Sequence, residues 1–239
     1  MSIRPVPCPV PCQLWQVDLD AAPAPEALAS LSPAEEARAA RFVFRRDRER
    51  YVAAHAALRQ LLSFPAGRPA AELAFAEGEF GKPALVGCPG LQFNLSHSGG
   101  MALIAIGRGF EIGVDVELER AVPDALELAA NYFTADEQRM LAALPADARD
   151  HAFLVGWTRK EAFLKALGLG ITVDLRSVDV GLQNVERSVK YVLEKQSHSL
   201  RILSVALKGG AVAAIALHDD NGTTKETVAP RKADLALLP

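Results

Sequence analysis

"LSPAEEARAARF", residues 31–42, has the chemistry of a helix start. Ser32 is a natural N-cap, Pro33 fits the first helical position, and Glu35 completes a capping box. Further along, "FTADEQRMLAAL" (133–144) repeats the device with Thr134 and Glu137. A long helix candidate follows each, "DRERYVAAHAALRQLL" (47–62) and a segment across 150–167. "HAALRQLL" and "EAFLKALG" align without a gap, which sets Arg59 opposite Lys165. Strand-like runs surround these helices. In the first half they are "LWQVDL" (14–19), "ELAFAE" (72–77), the broken "FGKPAL" (80–85) and "LQFNLSHSGG" leading into "MALIAIG". The turn at Arg108-Gly109 predicts a hairpin returning along "FEIGVDVELE" (110–119). The second half offers "SVDVGLQ", "KYVLEK", "LRILSVAL" and "AVAAIALHD". The expectation is an α+β fold built as two similar halves, 1–118 and 119–220, with a loosely held tail over 221–239.

Composition narrows the class. The chain has 239 residues, half of them apolar, which suits a globular protein with ample core. A net charge of −3 argues against a surface that grips nucleic acid. Cys8, Cys12 and Cys88 lack metal-ligand spacing and a plausible disulfide framework, so thiols in a reducing compartment are expected. The proline-broken start does not read as a signal peptide, and no run approaches a membrane span. The expectation is a cytoplasmic protein with no membrane association.

Several polar clusters could carry chemistry. In "GVDVE" (113–117) Asp115 and Glu117 share one face of a strand, because side chains alternate. That face is either solvated or offset by a cation, and two carboxylates suit Mg²⁺. "FNLSHSGG" (93–100) is a polar island whose small residues let backbone N–H groups approach an anion. His97 there either donates to a phosphate or is satisfied locally. A Ser/His hydrolase is disfavoured, since the G-x-S-x-G elbow is missing. Arg38, Arg41, Arg45, Arg46, Arg48 and Arg50 crowd one segment, as a solvated face or a phosphate clamp. Glu161 and Lys165 lie four apart on one helical face, with Trp157 a turn earlier. Taken together, three acids, a lysine, a histidine loop and arginines describe a polyphosphate site. There is no Walker loop and no kinase signature set.

In this pattern the chain resembles the 4′-phosphopantetheinyl transferases, in particular their larger, surfactin-synthetase-type class, a pseudo-dimer in one chain. The matching motifs are "GKP" (81–83), "FNLSHS" (93–98), "GVDVE" (113–117), "FTADE" (133–137) and "WTRKEAFLK" (157–165), followed by "GLG" (168–170). The resemblance implies transfer of the phosphopantetheine arm of coenzyme A to a serine of an apo acyl or peptidyl carrier protein, with release of adenosine 3′,5′-bisphosphate. It implies Mg²⁺ on Asp115, Glu117 and Glu161, and Lys165 on the pyrophosphate. Ser96 and His97 match the loop on the coenzyme A phosphates. Arg50, Lys82 and Arg38 match nucleotide-side cations. Some relatives carry a lysine where Glu35 stands here, so Arg38 or Arg41 is expected to take more of the 3′-phosphate. Glu161 is the expected base for the incoming hydroxyl, with Glu117 as its rival. The class implies a monomer. Arg159, Lys160 and "GLGITVDLRS" are candidates for carrier docking. Two other readings are a non-catalytic carrier- or coenzyme-A-binding protein and a pyrophosphate hydrolase.

Overall fold

The computed structural model describes residues 1–78, 81–168, 173–193 and 196–218. The expected tail over 221–239 lies outside the described residues. Two four-stranded antiparallel sheets stack face to face, each backed by one long helix. The first sheet has the order β1-β2-β6-β5, from Ser2–Pro5, Cys12–Asp18, Met101–Arg108 and Leu91–Ser98. The second has the order β7-β10-β9-β8, from Ile112–Leu118, Ala211–His218, Gln196–Ala206 and Arg187–Leu193. A small hairpin pairs β3 (Phe75–Glu77) with β4 (Pro83–Leu85).

The helices are α1 (Pro25–Leu28), α2 (Pro33–Ala39), α3 (Arg45–Ala66), α4 (Ala125–Tyr132), α5 (Ala135–Ala143) and α6 (Ala146–Leu167). Both capping boxes form. Ser32 Oγ accepts from the Glu35 amide, and Thr134 Oγ1 accepts from the Glu137 amide. Each long helix spans 22 residues and ends at a left-handed glycine, Gly67 or Gly168.

Strand β6 explains the layering. Ala102, Ile104 and Ile106 pack under α3 with Ala53, Ala57, Leu58 and Leu61. Met101, Leu103 and Ala105 face the other sheet and meet Val114, Val116, Val205 and Ile215. A strand buried on both faces reads as an unbroken apolar run, as "MALIAI" does. Beyond the second sheet, Ala162, Phe163 and Ala166 of α6 close the last layer on Ile202, Ala214 and Ala216. Gly113 makes that approach possible, since a Cβ there would lie 2.2 Å from the carbonyl oxygen of Ala162.

Two strand expectations need correction. The predicted hairpin between β6 and β7 does not form. Both edges of β6 are taken by β2 and β5, so the chain crosses the seam and β7 pairs with β10. The boundary expected at 118 therefore falls at the end of a second-sheet strand, and the sheets separate between Arg108 and Ile112. "SVDVGLQ" forms no strand; a 3-10 turn at Leu175–Ser177 leads into irregular chain. Its alternation is real, with Val178, Val180 and Leu182 buried. However, the amides of Val180 and Gly181 donate to Glu137 Oε1 rather than to a neighbouring strand.

The repeat is legible in the bonding. A Gly-Gly pair precedes both Met101 and Ala211, the Leu19 amide donates to the Gly100 carbonyl, and the Glu119 amide donates to the Gly210 carbonyl. Asp18 faces Met101 as Leu118 faces Ala211. Strands β2, β6 and β5 thus correspond to β7, β10 and β9. In the helices, Arg59 Nε donates to Glu35 Oε2 at 2.8 Å, and its Nη1 donates to the carbonyls of Ala70 and Leu73. Lys160 pairs with Glu137 at 2.9 Å and donates to the carbonyls of Leu175 and Val178. In each case the carbonyls flank the 3-10 turn that follows the helix, Ala70–Glu72 or Leu175–Ser177. Arg59 accordingly stands opposite Lys160, not opposite Lys165 as the ungapped sequence alignment suggests.

Candidate active site

Strand β7 is an edge strand of its sheet, so part of its backbone has no strand partner. Side chains from β5, the edge of the other sheet, lie against it. Asn94, Ser96 and Ser98 share one face of β5 by the period of two. Asn94 Oδ1 accepts from the Val114 amide at 2.8 Å. Ser96 Oγ donates to Asp115 Oδ1 at 2.7 Å. Ser98 Oγ donates to Glu117 Oε2 at 2.8 Å and accepts from the Leu118 amide at 3.2 Å. The first half thereby holds both carboxylates of the second.

Helix α6 contributes the cation. Lys165 Nζ donates to Asp115 Oδ1 at 2.6 Å and to Ser96 Oγ at 3.0 Å. The expected Glu161–Lys165 pair does not form among the described residues, because the buried Asp115 carboxylate is the closer partner. Asp115 is 5% exposed, and burial pushes its pKa up against the pull of Lys165 and Ser96. Its Oδ2 is buried without a hydrogen-bond partner among the described residues. Glu161 is also pushed up, first by burial and then by the charges of Asp115 and Glu117, with Lys165 opposing. Three carboxylates thus act on one another across a small space.

A divalent cation fits this donor set in two respects. The orphaned Asp115 Oδ2 has a lone-pair demand that a cation satisfies, and the mutual repulsion at Glu161 falls when positive charge enters. Among the described residues no three such side chains form a ready-made cage. Lys165 already neutralises Asp115, while Ser98 and Arg120 hold Glu117, the latter at 2.9 Å.

The remaining candidates have other partners. His97 lies on the opposite face of β5 and is exposed. Partial desolvation by the surrounding chain, followed by the charges of Lys165, His55 and Arg50, lowers its pKa. Arg50 makes a two-pronged pair with Asp20, at 2.6 and 3.0 Å. Lys82 Nζ donates to Glu111 Oε2 at 2.7 Å and to the Ala166 carbonyl at 2.9 Å, which sets it one residue from Lys165 at the end of α6. Arg38 lies over the Tyr51 ring at 5.8 Å, and Arg41 is exposed nearby. Glu35 is committed to the fold through His55, Arg59 and its capping box.

Arg159 and Lys160 are corrected as docking candidates. Both are fully buried, Lys160 on Glu137 and Arg159 on the carbonyls of Gln183 and Val185. Burial, then the charge of Arg187, lowers Arg159 to about 10. Part of "GLGITVDLRS" lies outside the described residues. Ser98, Asn94, Asp20 and Arg120 escaped the sequence reading. The alternation of Asn94, Ser96 and Ser98 was the available signal for two of them.

Comparison with known proteins agrees with this division. A family model described as the 4′-phosphopantetheinyl transferase superfamily matches residues 111–216. A second, described as 4′-phosphopantetheinyl transferase, N-terminal, matches residues 21–108. The two abut where the chain crosses between the sheets. The chain is similar to the 4′-phosphopantetheinyl transferase HetI of a Nostoc species, 37% identical over 72% of this chain and 75% of that protein. It is also similar to the 4′-phosphopantetheinyl transferase Sfp of Bacillus subtilis, 30% identical over 64% of this chain and 66% of that protein. The human L-aminoadipate-semialdehyde dehydrogenase-phosphopantetheinyl transferase is 24% identical over 71% of this chain and 58% of its own length.

Proposed function

The chain belongs to the 4′-phosphopantetheinyl transferase superfamily, and from that premise we propose how the seam between its halves performs the reaction. The enzyme transfers the phosphopantetheine arm of coenzyme A to a carrier protein. The carrier serine oxygen forms a bond to the phosphorus attached to the pantetheine arm. The bond from that phosphorus to the bridging oxygen breaks, and adenosine 3′,5′-bisphosphate leaves with that oxygen. Phosphoryl transfer of this kind asks for charge neutralisation and in-line placement more than for a protein nucleophile.

Asp115, Glu117 and Glu161 would hold Mg²⁺ beside the pyrophosphate. When bound, the ion supplies positive charge opposite the leaving bisphosphate. Lys165 donates to the pyrophosphate from the same side, since its ammonium already sits on Asp115 and Ser96 at the seam. His97, Arg50 and Lys82 bind the nucleotide's phosphates, with Arg38 and Arg41 at the outer rim. A lowered pKa leaves His97 ready to gain a proton as an anionic phosphate arrives. Glu161 accepts the serine proton. It is half-buried and makes no hydrogen bond among the described residues, and the burial that is the first cause of its raised pKa makes it a stronger base than an exposed glutamate. Both halves are present in one chain, so a monomer can carry a complete cleft.

The observation that carries this reading is the convergence of Lys165, Ser96 and Asp115 from three elements at hydrogen-bond distance. The test is incubation with coenzyme A, Mg²⁺ and a panel of apo acyl and peptidyl carriers, followed by intact-protein mass spectrometry. The expected result is conversion of a carrier to its holo form, dependent on the divalent ion. Coenzyme A cleavage without any carrier, or conversion that persists in a chelator, would overturn it.

A further inference from the structure

The acids of the site come from the second half, but their orientation does not. Glu117 sits on β7, yet its Oε2 is gripped by Ser98 from β5 and by Arg120 from its own chain end. The serine makes two bonds at once, to the carboxylate and to the Leu118 amide, so it fixes side chain and backbone together. It is carried to that spot by the Gly99-Gly100 turn. Gly99 has a positive φ of 55°, and an added Cβ would lie 2.5 Å from Leu118 Cδ1.

We propose that Ser98 is a positioning residue for Glu117, through which the first half sets the divalent-ion affinity of the second. This rests on the metal reading given under Proposed function. Residues that orient a ligand rather than bind the ion shift affinity by about 10–100-fold when removed. Ser98 meets that description: it touches Glu117 and not the substrate-facing lysine.

The test is calorimetric titration of Mg²⁺ into the full chain, alongside transfer kinetics as a function of Mg²⁺ and thermal unfolding. Ser98→Ala is expected to weaken Mg²⁺ binding about tenfold. Turnover at saturating Mg²⁺ should stay near wild type, as should the melting temperature. Ser98→Thr, which keeps the hydroxyl, should restore the affinity. Wild-type affinity in Ser98→Ala would overturn the proposal while leaving the metal reading intact. A wild-type chain that binds no Mg²⁺ would overturn both.

An unrelated pair of side chains carries a second inference. Residues 6–11 join β1 to β2 and lie over the seam, with Val10 buried in its core and Cys8 and Cys12 packed beside it. The Val6 amide donates to the Leu14 carbonyl and the Cys12 amide to the Val10 carbonyl, so the crossing is tightly bonded. Cys8 Sγ and Cys12 Sγ stand 3.6 Å apart. We infer that these two thiols are a site of reversible disulfide formation under peroxide. Cys8 is the attacking thiol: the hydrogen bond from Cys12, set against burial, lowers it to about 7, whereas Cys12 is raised. The Cys8 thiolate takes one oxygen from the peroxide to give a sulfenic acid and water. The Cys12 sulfur then displaces that oxygen as a second water, so two thiols are oxidised as one peroxide is reduced.

Hydrogen peroxide treatment followed by peptide mass spectrometry tests this, with the half-buried Cys88 as internal reference. The expected product is a Cys8–Cys12 disulfide reversed by a dithiol reductant. Cys12→Ser should instead accumulate a dimedone-reactive Cys8, formed about tenfold faster than at Cys88. Equal reactivity of Cys8 and Cys88 with no disulfide would overturn it.

Discussion

Strands β2 and β7 are the same strand in two copies of one unit, and neither acid of β7 has an acidic counterpart on β2. In register, Asp115 corresponds to Trp15 and Glu117 to Val17. On the helices, Glu161 and Lys165 correspond to Gln60 and Phe64, because α3 and α6 have equal lengths and end at equivalent glycines. The outer edge of β2 is closed by β1, which pairs along it from Ser2 to Pro5. The outer edge of β7 is instead met by the side chains of β5. Where the first half has an edge paired to a strand, the second has an edge met by side chains and lined with charge. The scaffold bonds were kept in both copies, as Glu35–Arg59 and Glu137–Lys160 attest. Duplication preserved the structural ion pair and confined Asp115, Glu117, Glu161 and Lys165 to one side of the seam.

Converting seam residues to their first-half counterparts should produce the largest effects. Glu161→Gln, which imports Gln60, removes the base and is expected to lower transfer by about 10²–10⁴-fold. The fold should survive. Because the folded pKa of Glu161 is raised, its ionisation above the unfolded value opposes folding, so the melting temperature should rise slightly at neutral pH. A variant within tenfold of wild-type turnover would show that this glutamate is not the base.

The conserved scaffold should respond alike in both halves. Arg59→Met and Lys160→Met each take the cation from a buried glutamate, and each should destabilise by about 3–5 kcal/mol, at the lower end for Glu35, which keeps His55. Denaturant unfolding of the two variants compares them directly. Similar losses support the equivalence of Arg59 and Lys160, and a large loss at only one would break it.

A smaller effect appears on acidification. Burial raises Glu35, but hydrogen bonds from His55 and Ser32 and the charge of Arg59 prevail and hold it at about 2, against 4.5 unperturbed. A depressed acid contributes stability above its unfolded pKa, and that contribution is lost as pH falls from about 4.5 toward 2. It amounts to on the order of 3 kcal/mol. Melting curves across that window should flatten in Glu35→Gln; an unchanged slope would remove Glu35 from the account. The smallest effect is expected from Phe64→Lys, which imports Lys165's chemistry at an exposed position with no carboxylate to meet it. Stability should stay within about 0.5 kcal/mol and no second activity should appear.

Much of this was legible in the sequence where the signal is local. The capping boxes at Ser32 and Thr134 and the long helices after them follow from residue type and spacing, and both halves were visible through them. "GVDVE" disclosed its paired acids because strand periodicity is fixed. Partners distant in sequence were not legible. Glu161 and Lys165 at i,i+4 suggest a pair, but Lys165 turns to Asp115, fifty residues away. Arg159 and Lys160 look like surface bases until the carbonyls and Glu137 that bury them are known. "SVDVGLQ" alternates as a strand does, and only the position of Glu137 reveals that its amides are already bonded.

The most direct test counts ions. Electron paramagnetic resonance of Mn²⁺ titrated into the chain should register one bound ion per molecule, abolished by Asp115→Asn, because the positions of Asp115 and Glu117 are taken by Trp15 and Val17 in the first half. Two ions per chain, or undiminished binding in Asp115→Asn, would contradict a single charged seam.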